Sequence, residues 1–189
     1  MLELNFSLFP EITTERLLLR RMTEKDTGEI FLLRSNEDVM KHVDRPKATS
    51  IQDARDFLGL INKSLESNDG ITWGITLKEI PGKLIGYIGY WRIKKEHYRA
   101  EMGYMLNPAF WKKGIMKEAI LALLDFGFDT MHLHSVEANI NADNAASAGV
   151  LEATGFCRRG GADAGARDWR HHRDLQRRLR RLAEAASVH

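Results

Sequence analysis

Hydrophobic and polar positions follow two different periods along this chain, and each period predicts one type of element. In residues 51–66 the apolar side chains recur at the i, i+3, i+4, i+7 spacing of an amphipathic helix, with polar side chains between them. In residues 134–140 apolar and polar side chains alternate strictly, as in a strand with one buried face. The chain therefore contains both helices and strands, and their order decides the fold class.

The first half of the chain predicts an antiparallel meander. An apolar run at 14–21 indicates a strand, and the cap residues after it indicate a helix over about 26–34. Strands at 71–77 and 84–91 flank a Pro-Gly turn and form a hairpin, which a third strand at 100–106 extends.

The second half alternates between helix and strand. A helix over about 113–128 is followed by the strand at 134–140 and by a short helix over about 144–153, which Gly155 ends. Such alternation predicts a parallel or mixed segment of sheet. The fold class is therefore α/β.

The turn at 107–119 lies between the third meander strand and the next helix, and it is rich in lysine. The first turn of a helix has four N–H groups without partners and carries roughly half a positive charge. Gly114 lets a phosphate approach the backbone, while Lys112, Lys113 and Lys117 add positive charge. The turn matches neither common nucleotide loop, G-x-x-x-x-G-K-[ST] or G-x-G-x-x-G. We predict a phosphate site of another kind.

Composition limits the remaining possibilities. The 189 residues are enough for one domain, and a single cysteine, Cys157, excludes an internal disulfide framework. We expect Cys157 to be buried and the protein to be cytoplasmic, with neither a signal peptide nor a membrane span. The net charge of +2 is too small to indicate nucleic acid by itself. His132 and His134 alternate at a strand start, but no third ligand has suitable spacing, so no metal is predicted.

Four segments in order resemble the GNAT acetyltransferases. They are TERLLLR at 14–20, AEMGY at 100–104, WKKGIMKEA at 111–119 and NxxSxxVLExxGF at 144–156. The chain looks most like the RimJ/RimL branch, which acetylates the N-terminal amine of ribosomal proteins. The match covers about residues 11–156. It implies one acetyltransferase domain over 1–189, with a mixed central sheet, an antiparallel N-terminal meander, splayed strands at the cofactor site and helices on both faces.

The resemblance also implies that acetyl-CoA is the co-substrate and that no metal takes part. In this family the N–H groups of the turn hold the pyrophosphate, and the pantetheine arm lies between the splayed strands. The implied cofactor-binding residues are Met105, Leu106, Lys112, Lys113, Gly114, Ile115, Met116, Lys117, Asn139, Asn144 and Ser147.

The wider family has Gln or Arg where Trp111 stands, and Gly or Ala where Met116 stands. Met116 either crowds the phosphate or points into the core. Gly103, within a β-rich run, marks either a bulge at the splay or ordinary close packing.

Acetyl transfer needs a neutral amine and a proton for the departing thiolate. An α-amino group with a pKa of roughly 7.7–8.0 is about one-tenth neutral at pH 7, so an N-terminal acceptor needs only a modest base. Glu101 stands where the branch carries the carboxylate thought to be that base; the alternative is a surface ion pair. The resemblance makes Ser147 a donor to the thiolate sulfur, although a serine at this helix position also serves as a cap. Asn139 and Asn144 either contact the cofactor or form caps and turns.

The pattern changes after residue 156. Residues 157–189 contain nine arginines and no lysine, whereas residues 1–156 contain eleven lysines and eight arginines. The family has two further strands here, but this composition predicts a loop at 162–165 and an exposed basic helix at 176–186 instead. The tail is a frame-shifted or chimeric end, a replacement that binds RNA or the ribosome, or a diverged pair of strands.

Together these features predict an acetyl-CoA-dependent N-acetyltransferase that acts on a primary amine by direct transfer in a ternary complex. The alternatives are a non-catalytic acyl-CoA-binding relative and an RNA- or ribosome-binding adaptor that uses the tail. The expected partners are acetyl-CoA and an amine acceptor, with the N-terminus of a protein as one candidate. No membrane is expected, and nucleic acid only through the basic tail. The protein is expected to be a monomer or a homodimer.

Overall fold

The computed structural model of this protein describes residues 1–158 and 166–172. Within these described residues, eight strands form one sheet in the order β1-β2-β3-β4-β5-β6-β8-β7. The strands are β1 Ile12–Thr13, β2 Leu17–Arg21, β3 Ile71–Leu77, β4 Leu84–Lys94, β5 Arg99–Leu106, β6 Ser135–Asn141, β7 Cys157–Arg158 and β8 Ala166–His172.

In the described part of the chain, five α-helices accompany the sheet. They are α1 Thr27–Ser35, α2 Glu37–Met40, α3 Ile51–Glu66, α4 Ile115–Asp125 and α5 Ala145–Ala153. The longest, α3, has the predicted bounds because Ser50 and Asp53 form a reciprocal capping box at its start. The structure adds β1 and α2, which the sequence patterns do not reveal. It also ends α4 at Asp125, after which residues 126–130 form one wider helical turn.

The predicted meander is confirmed. Strands β2, β3, β4 and β5 pair antiparallel with their sequence neighbours, and β5 then pairs with β6 in parallel. The mixed α/β sheet is therefore confirmed as well, because a parallel pair needs the crossover that α4 provides.

Helices cover both faces of the sheet, and each face has its own apolar core. On one face, α4 and α5 pack on alternate residues of β5 and β6, such as Met102 and Val136. On the other face, α1, α2 and most of α3 pack on residues such as Tyr87 and Met105. Odd-numbered side chains of β5 beyond Arg99 therefore lie on the α1–α3 face, and even-numbered ones lie on the α4–α5 face.

The two central strands β5 and β6 stay paired over a short distance only. Their register runs from Arg99 opposite Ser135 to Glu101 opposite Glu137, although β5 continues to Leu106 and β6 to Asn141. The strands therefore separate beyond Glu101 and leave an opening in the middle of the sheet. The splay that the family resemblance implies is present.

The expectation that the chain lacks the last two strands is wrong. Strand β8 pairs antiparallel with β6 over seven residues, and β7 pairs with the far edge of β8. Backbone pairing does not require β-branched side chains, and the buried His171 lies between the rings of Phe128 and Phe156, with both centroid distances 5.4 Å. These strands favour the interpretation of the tail as a diverged pair of strands. The predicted loop at 162–165 and helix at 176–186 lie outside the described residues.

Other details also differ from the sequence predictions. Strand β6 begins at Ser135, so His132 and His134 precede it rather than alternating within it, and His134 stacks on Tyr98 with ring centroids 4.5 Å apart. Cys157 is exposed on β7 instead of buried, because it sits on the outermost strand of the sheet. In the part of the chain that is described, no helix has the length and apolarity to cross a bilayer.

Candidate functional site

The opening between β5 and β6 exposes backbone groups of β5. The Met105 carbonyl faces β4, where a Cβ atom on Gly86 would collide with it. Backbone groups alternate in direction along a strand, so those of Tyr104 and Leu106 face the opening instead. The Leu106 carbonyl accepts a hydrogen bond of 2.8 Å from the indole Nε1 of Trp111. Of the two residues predicted to line the pantetheine arm, Leu106 thus faces the opening through its backbone and Met105 does not.

At the end of β5 the chain forms a loop that runs into the first turn of α4, and we call residues 107–117 the anion loop. Lys112 and Gly114 both have left-handed backbone angles, with φ of 59° and 72°. The first hydrogen bond of α4 runs from the Glu118 N–H to the Gly114 carbonyl at 3.1 Å. Within the described ranges, the N–H groups of residues 112–117 donate to no protein acceptor. Together with the helix dipole they form a site suited to an anion.

The side chains of the anion loop leave that site open. Met116 has only 7% of its surface exposed and belongs to the core beneath α4, which decides between the two alternatives for this residue. Ile115 is buried beside it, whereas Lys112, Lys113 and Lys117 are exposed. A residue larger than alanine is tolerated at 116 because its side chain turns inward, and three cations remain at the mouth of the loop.

Glu101 marks the point at which β5 and β6 part, and it lies on the α1–α3 face. One of its carboxylate oxygens lies 3.2 Å from Nη1 of Arg92, an exposed residue with a φ of 48°. The irregularity in this part of the sheet is in β4, between Trp91 and Lys94, and not at Gly103. Gly103 pairs regularly with Gly89, and the Trp91 ring occupies the space that a Cβ atom on Gly103 would need. Gly103 therefore reflects close packing rather than a bulge.

Ser147 and Tyr104 meet on the opposite face of the opening. The Asn144 side chain caps α5 by accepting a 3.0 Å hydrogen bond from the Ser147 N–H, which leaves the Ser147 hydroxyl available. Burial raises the pKa of Tyr104 to about 12, while a contact with the Ser147 side chain acts in the opposite direction. Among the described residues, the buried Tyr104 hydroxyl forms no hydrogen bond of good geometry. Two hydroxyl groups thus converge from β5 and α5.

Residues 16–157 match the acetyltransferase (GNAT) domain, which is three-quarters of the chain. The chain belongs to the GNAT family of N-acetyltransferases. It is 33% identical over 153 residues to an uncharacterized N-acetyltransferase, YoaA, of Bacillus subtilis strain 168, covering 81% of this chain and 86% of YoaA.

Solved structures agree on the fold of this GNAT enzyme. A GNAT-family acetyltransferase from Bacillus anthracis is 28% identical and superimposes with a TM-score of 0.74, covering 87% of this chain and 99% of the other. The ribosomal L7/L12 α-N-protein acetyltransferase RimL, solved with coenzyme A, gives a TM-score of 0.78 at 19% identity, covering 88% of this chain and 99% of RimL. At such identity the likeness extends to the fold alone.

The remaining predicted site residue of this acetyltransferase, Asn139, lies apart from the Ser147–Tyr104 pair. Its side chain is exposed on β6, with the parity of Glu137 and therefore on the face away from α5. Sequence patterns did not indicate Tyr104 as a site residue. The feature that points to Tyr104 is its position: it faces the core near the end of β5, the strand that precedes the anion loop.

Proposed function

We propose that this enzyme transfers the acetyl group of acetyl-CoA directly to a primary amine in a ternary complex, and that the acceptor is the N-terminal amine of a protein. The observation that carries the proposal is the opening between β5 and β6, which leads from Glu101 to the free N–H groups of the anion loop. Acetyl-CoA fits both ends of this arrangement: its thioester would lie near Glu101, and its pyrophosphate would lie at the anion loop. Membership of the GNAT family supports the reaction class.

The anion loop accounts for binding of the pyrophosphate. The N–H groups of residues 112–117 would donate to its oxygens, and the exposed side chains of Lys112, Lys113 and Lys117 would add charge. The backbone of Tyr104 would pair with the pantetheine arm. The Leu106 carbonyl is available to the arm only when Trp111 releases it.

Glu101 is proposed to take the proton of the attacking amine, directly or through one water. The amine nitrogen forms a bond to the thioester carbonyl carbon, and the carbon–sulfur bond breaks. Glu137, opposite Glu101 in register, is a poorer candidate because Arg99, at 3.1 Å, and Arg170 both hold its carboxylate. Arg92, which pairs with Glu101, is exposed and free to move away.

Ser147 and Tyr104 are proposed to stabilise the departing thiolate from the α4–α5 face. With a pKa of about 12, Tyr104 keeps its proton and acts as a hydrogen-bond donor rather than as an acid that ionises. The sulfur takes up its proton from solvent after transfer. Direct transfer is preferred to an acetyl-cysteine intermediate because Cys157 is exposed on β7, with β8 between it and β6.

Two measurements test this function. Calorimetry with acetyl-CoA tests the co-substrate, and release of free thiol with a panel of amines tests the reaction. The panel contains peptides with free N-termini, the same peptides blocked at the N-terminus, and a polyamine. We expect turnover with the free peptides only. Turnover with the polyamine alone would overturn the proposed acceptor, and binding of acetyl-CoA without thiol release from any amine would overturn catalysis.

The base is tested by Glu101→Gln, with Glu137→Gln as the matched comparison. We expect kcat for the best acceptor to fall by about 10²–10⁴ in Glu101→Gln, with the dissociation constant of acetyl-CoA unchanged. Glu137→Gln should lose much less activity, because its carboxylate is already engaged by two guanidinium groups. Equal losses in the two variants would remove Glu101 from the role of base.

The cellular location and the assembly stay predictions. The exposed thiol of Cys157 is compatible with the expected cytoplasmic location. Monomer and homodimer are distinguished by measuring mass in solution.

A further inference from the structure

The turn between β1 and β2 is tied to the first turn of α4 by the side chain of Glu118. One Glu118 carboxylate oxygen accepts hydrogen bonds from the Thr14 hydroxyl at 2.5 Å and from the Arg16 N–H at 2.9 Å. The other oxygen accepts from the Arg16 Nε at 2.6 Å. Four groups from three residues therefore meet here, although Thr14 and Arg16 lie about a hundred positions before Glu118 in the sequence.

Arg16 also reaches the anion loop itself. Its Nη1 donates to the Lys113 carbonyl at 3.0 Å, and its Nη2 lies 3.4 Å from the position of a Cβ atom on Gly114. Lys113 lies between the two left-handed residues of the loop, Lys112 and Gly114. A left-handed conformation is costly for lysine and persists only where the surroundings hold it. The guanidinium is the group that fixes the carbonyl between these two residues.

The ion pair between Arg16 and Glu118 also offsets an unfavourable charge near the anion loop. Glu118 places a carboxylate in the first turn of α4, close to the N–H groups of the anion loop that are proposed to bind the pyrophosphate. A negative charge there would repel a bound pyrophosphate. Hydrogen bonds from Thr14 and Arg16 outweigh the effect of burial and lower the pKa of Glu118, so the carboxylate stays charged and needs a cation beside it.

We propose that Arg16 is a positioning residue for acetyl-CoA: by binding Glu118 and the Lys113 carbonyl at once, it holds the anion loop open to the pyrophosphate and neutralises the nearby carboxylate. Arg16 does not touch the reacting atoms. The proposal rests on the function proposed above, and it assigns the N-terminal turn a role in co-substrate affinity rather than in the chemical step.

The test compares a thioester that has a pyrophosphate with one that lacks it. Acetyl-CoA and S-acetylpantetheine are used with wild type, Arg16→Gln and Arg16→Lys, and with Arg21→Gln as the control. Arg21 lies on the neighbouring strand β2, and its side chain donates to the Asn62 side chain at 3.2 Å, away from the anion loop. Thermal unfolding of each variant is measured without ligand.

For Arg16→Gln we expect the dissociation constant and KM of acetyl-CoA to rise by about tenfold or more, because charge-assisted hydrogen bonds are lost. Its kcat, and its kcat/KM for S-acetylpantetheine, should stay within about twofold of wild type. Arg16→Lys keeps the charge but not the guanidinium fork of donors, so its affinity for acetyl-CoA should lie between those of wild type and Arg16→Gln. Adding Glu118→Gln to Arg16→Gln should restore part of the affinity, because the unneutralised carboxylate is gone.

Several outcomes would overturn the proposal. These are an unchanged affinity for acetyl-CoA in Arg16→Gln, equal losses on both thioesters, and a loss in Arg21→Gln of the same size. If Arg16→Gln does not fold, Arg16→Lys decides by the same comparison. Failure of wild type to bind acetyl-CoA is a different result, because it contradicts the proposed function and not the role of Arg16 alone.

Discussion

Gly114 shows how much of the site depends on one residue. Its φ of 72° lies in the left-handed region, where a side chain adds a clash between Cβ and the backbone. In this conformation Gly114 is the N-cap of α4, which begins at Ile115. The start of α4 within the anion loop therefore favours a glycine at position 114.

We predict that Gly114→Ala weakens binding of acetyl-CoA by about tenfold and lowers the free energy of unfolding by about 1 kcal/mol. Gly59→Ala is the control, because Gly59 lies within α3 and a Cβ atom added there would meet no atom of another element within 4 Å. That substitution should stabilise the protein by up to about 1 kcal/mol and leave binding unchanged. Calorimetry and urea unfolding measure both quantities. Equal affinity in the two variants would contradict the role given to Gly114.

Among the elements, the start of α1 depends on a buried ion pair. Asp26 is 3% exposed, and one of its carboxylate oxygens lies 2.6 Å from Nη2 of Arg20 on β2. The other oxygen accepts from the Thr23 N–H at 2.8 Å and completes a capping box of the 3-10 turn Glu24–Asp26, which leads directly into α1. Burial alone would raise the pKa of Asp26, but the bonds from Arg20 and Thr23 outweigh it and lower that pKa.

We therefore predict that Asp26→Asn lowers the free energy of unfolding at pH 7 by about 3 kcal/mol, because Arg20 loses its buried partner. A carboxyl group with a depressed pKa in the folded state stabilises the protein above its unfolded pKa, and that stabilisation is lost as the pH falls through the folded pKa. The difference between wild type and Asp26→Asn should thus be full above about pH 5 and shrink below about pH 4. Urea unfolding from pH 7 to pH 3 measures it. A difference that does not change with pH would show that the carboxylate charge is not the cause.

The whole molecule depends on strand β8, which lies between β6 and β7 and pairs with both. Seven residue pairs join it to β6, the strand that forms one wall of the opening. Arg170 on β8 bonds to Glu137, directly opposite Glu101. The last strands of the sheet therefore support the site, although they contribute none of the residues proposed to bind acetyl-CoA.

We predict that a chain ending at residue 158 loses binding of acetyl-CoA and aggregates, because removal of β8 exposes the edge of β6. A chain ending at residue 172 keeps β8 and should retain the cooperative unfolding transition and acetyl-CoA binding. Thermal unfolding, size-exclusion chromatography and calorimetry compare the two. Equal behaviour of both truncated chains would contradict the supporting role of β8.

Much of the fold could be predicted because it is encoded locally. The period of α3, the hairpin turn between β3 and β4, and the glycine stop after α5 depend on residues a few positions apart. Strand β8 could not be predicted in this way, because its residues have little intrinsic strand preference and the strand exists through its pairing with β6. Local composition alone pointed to a basic tail instead.

The GNAT family, the order of most elements and the position of the anion loop can be read from the amino-acid sequence, since each of these depends on neighbours along the chain. Three other features depend on the packing of the folded chain: the point at which β5 and β6 separate, the burial of Met116 in the core, and the contact of Tyr104 with Ser147. The contact of Arg16 with Glu118, across 102 positions, belongs to the same group. Such contacts depend on how helices pack on the two faces of a sheet, and the period of a single element carries no information about its partner.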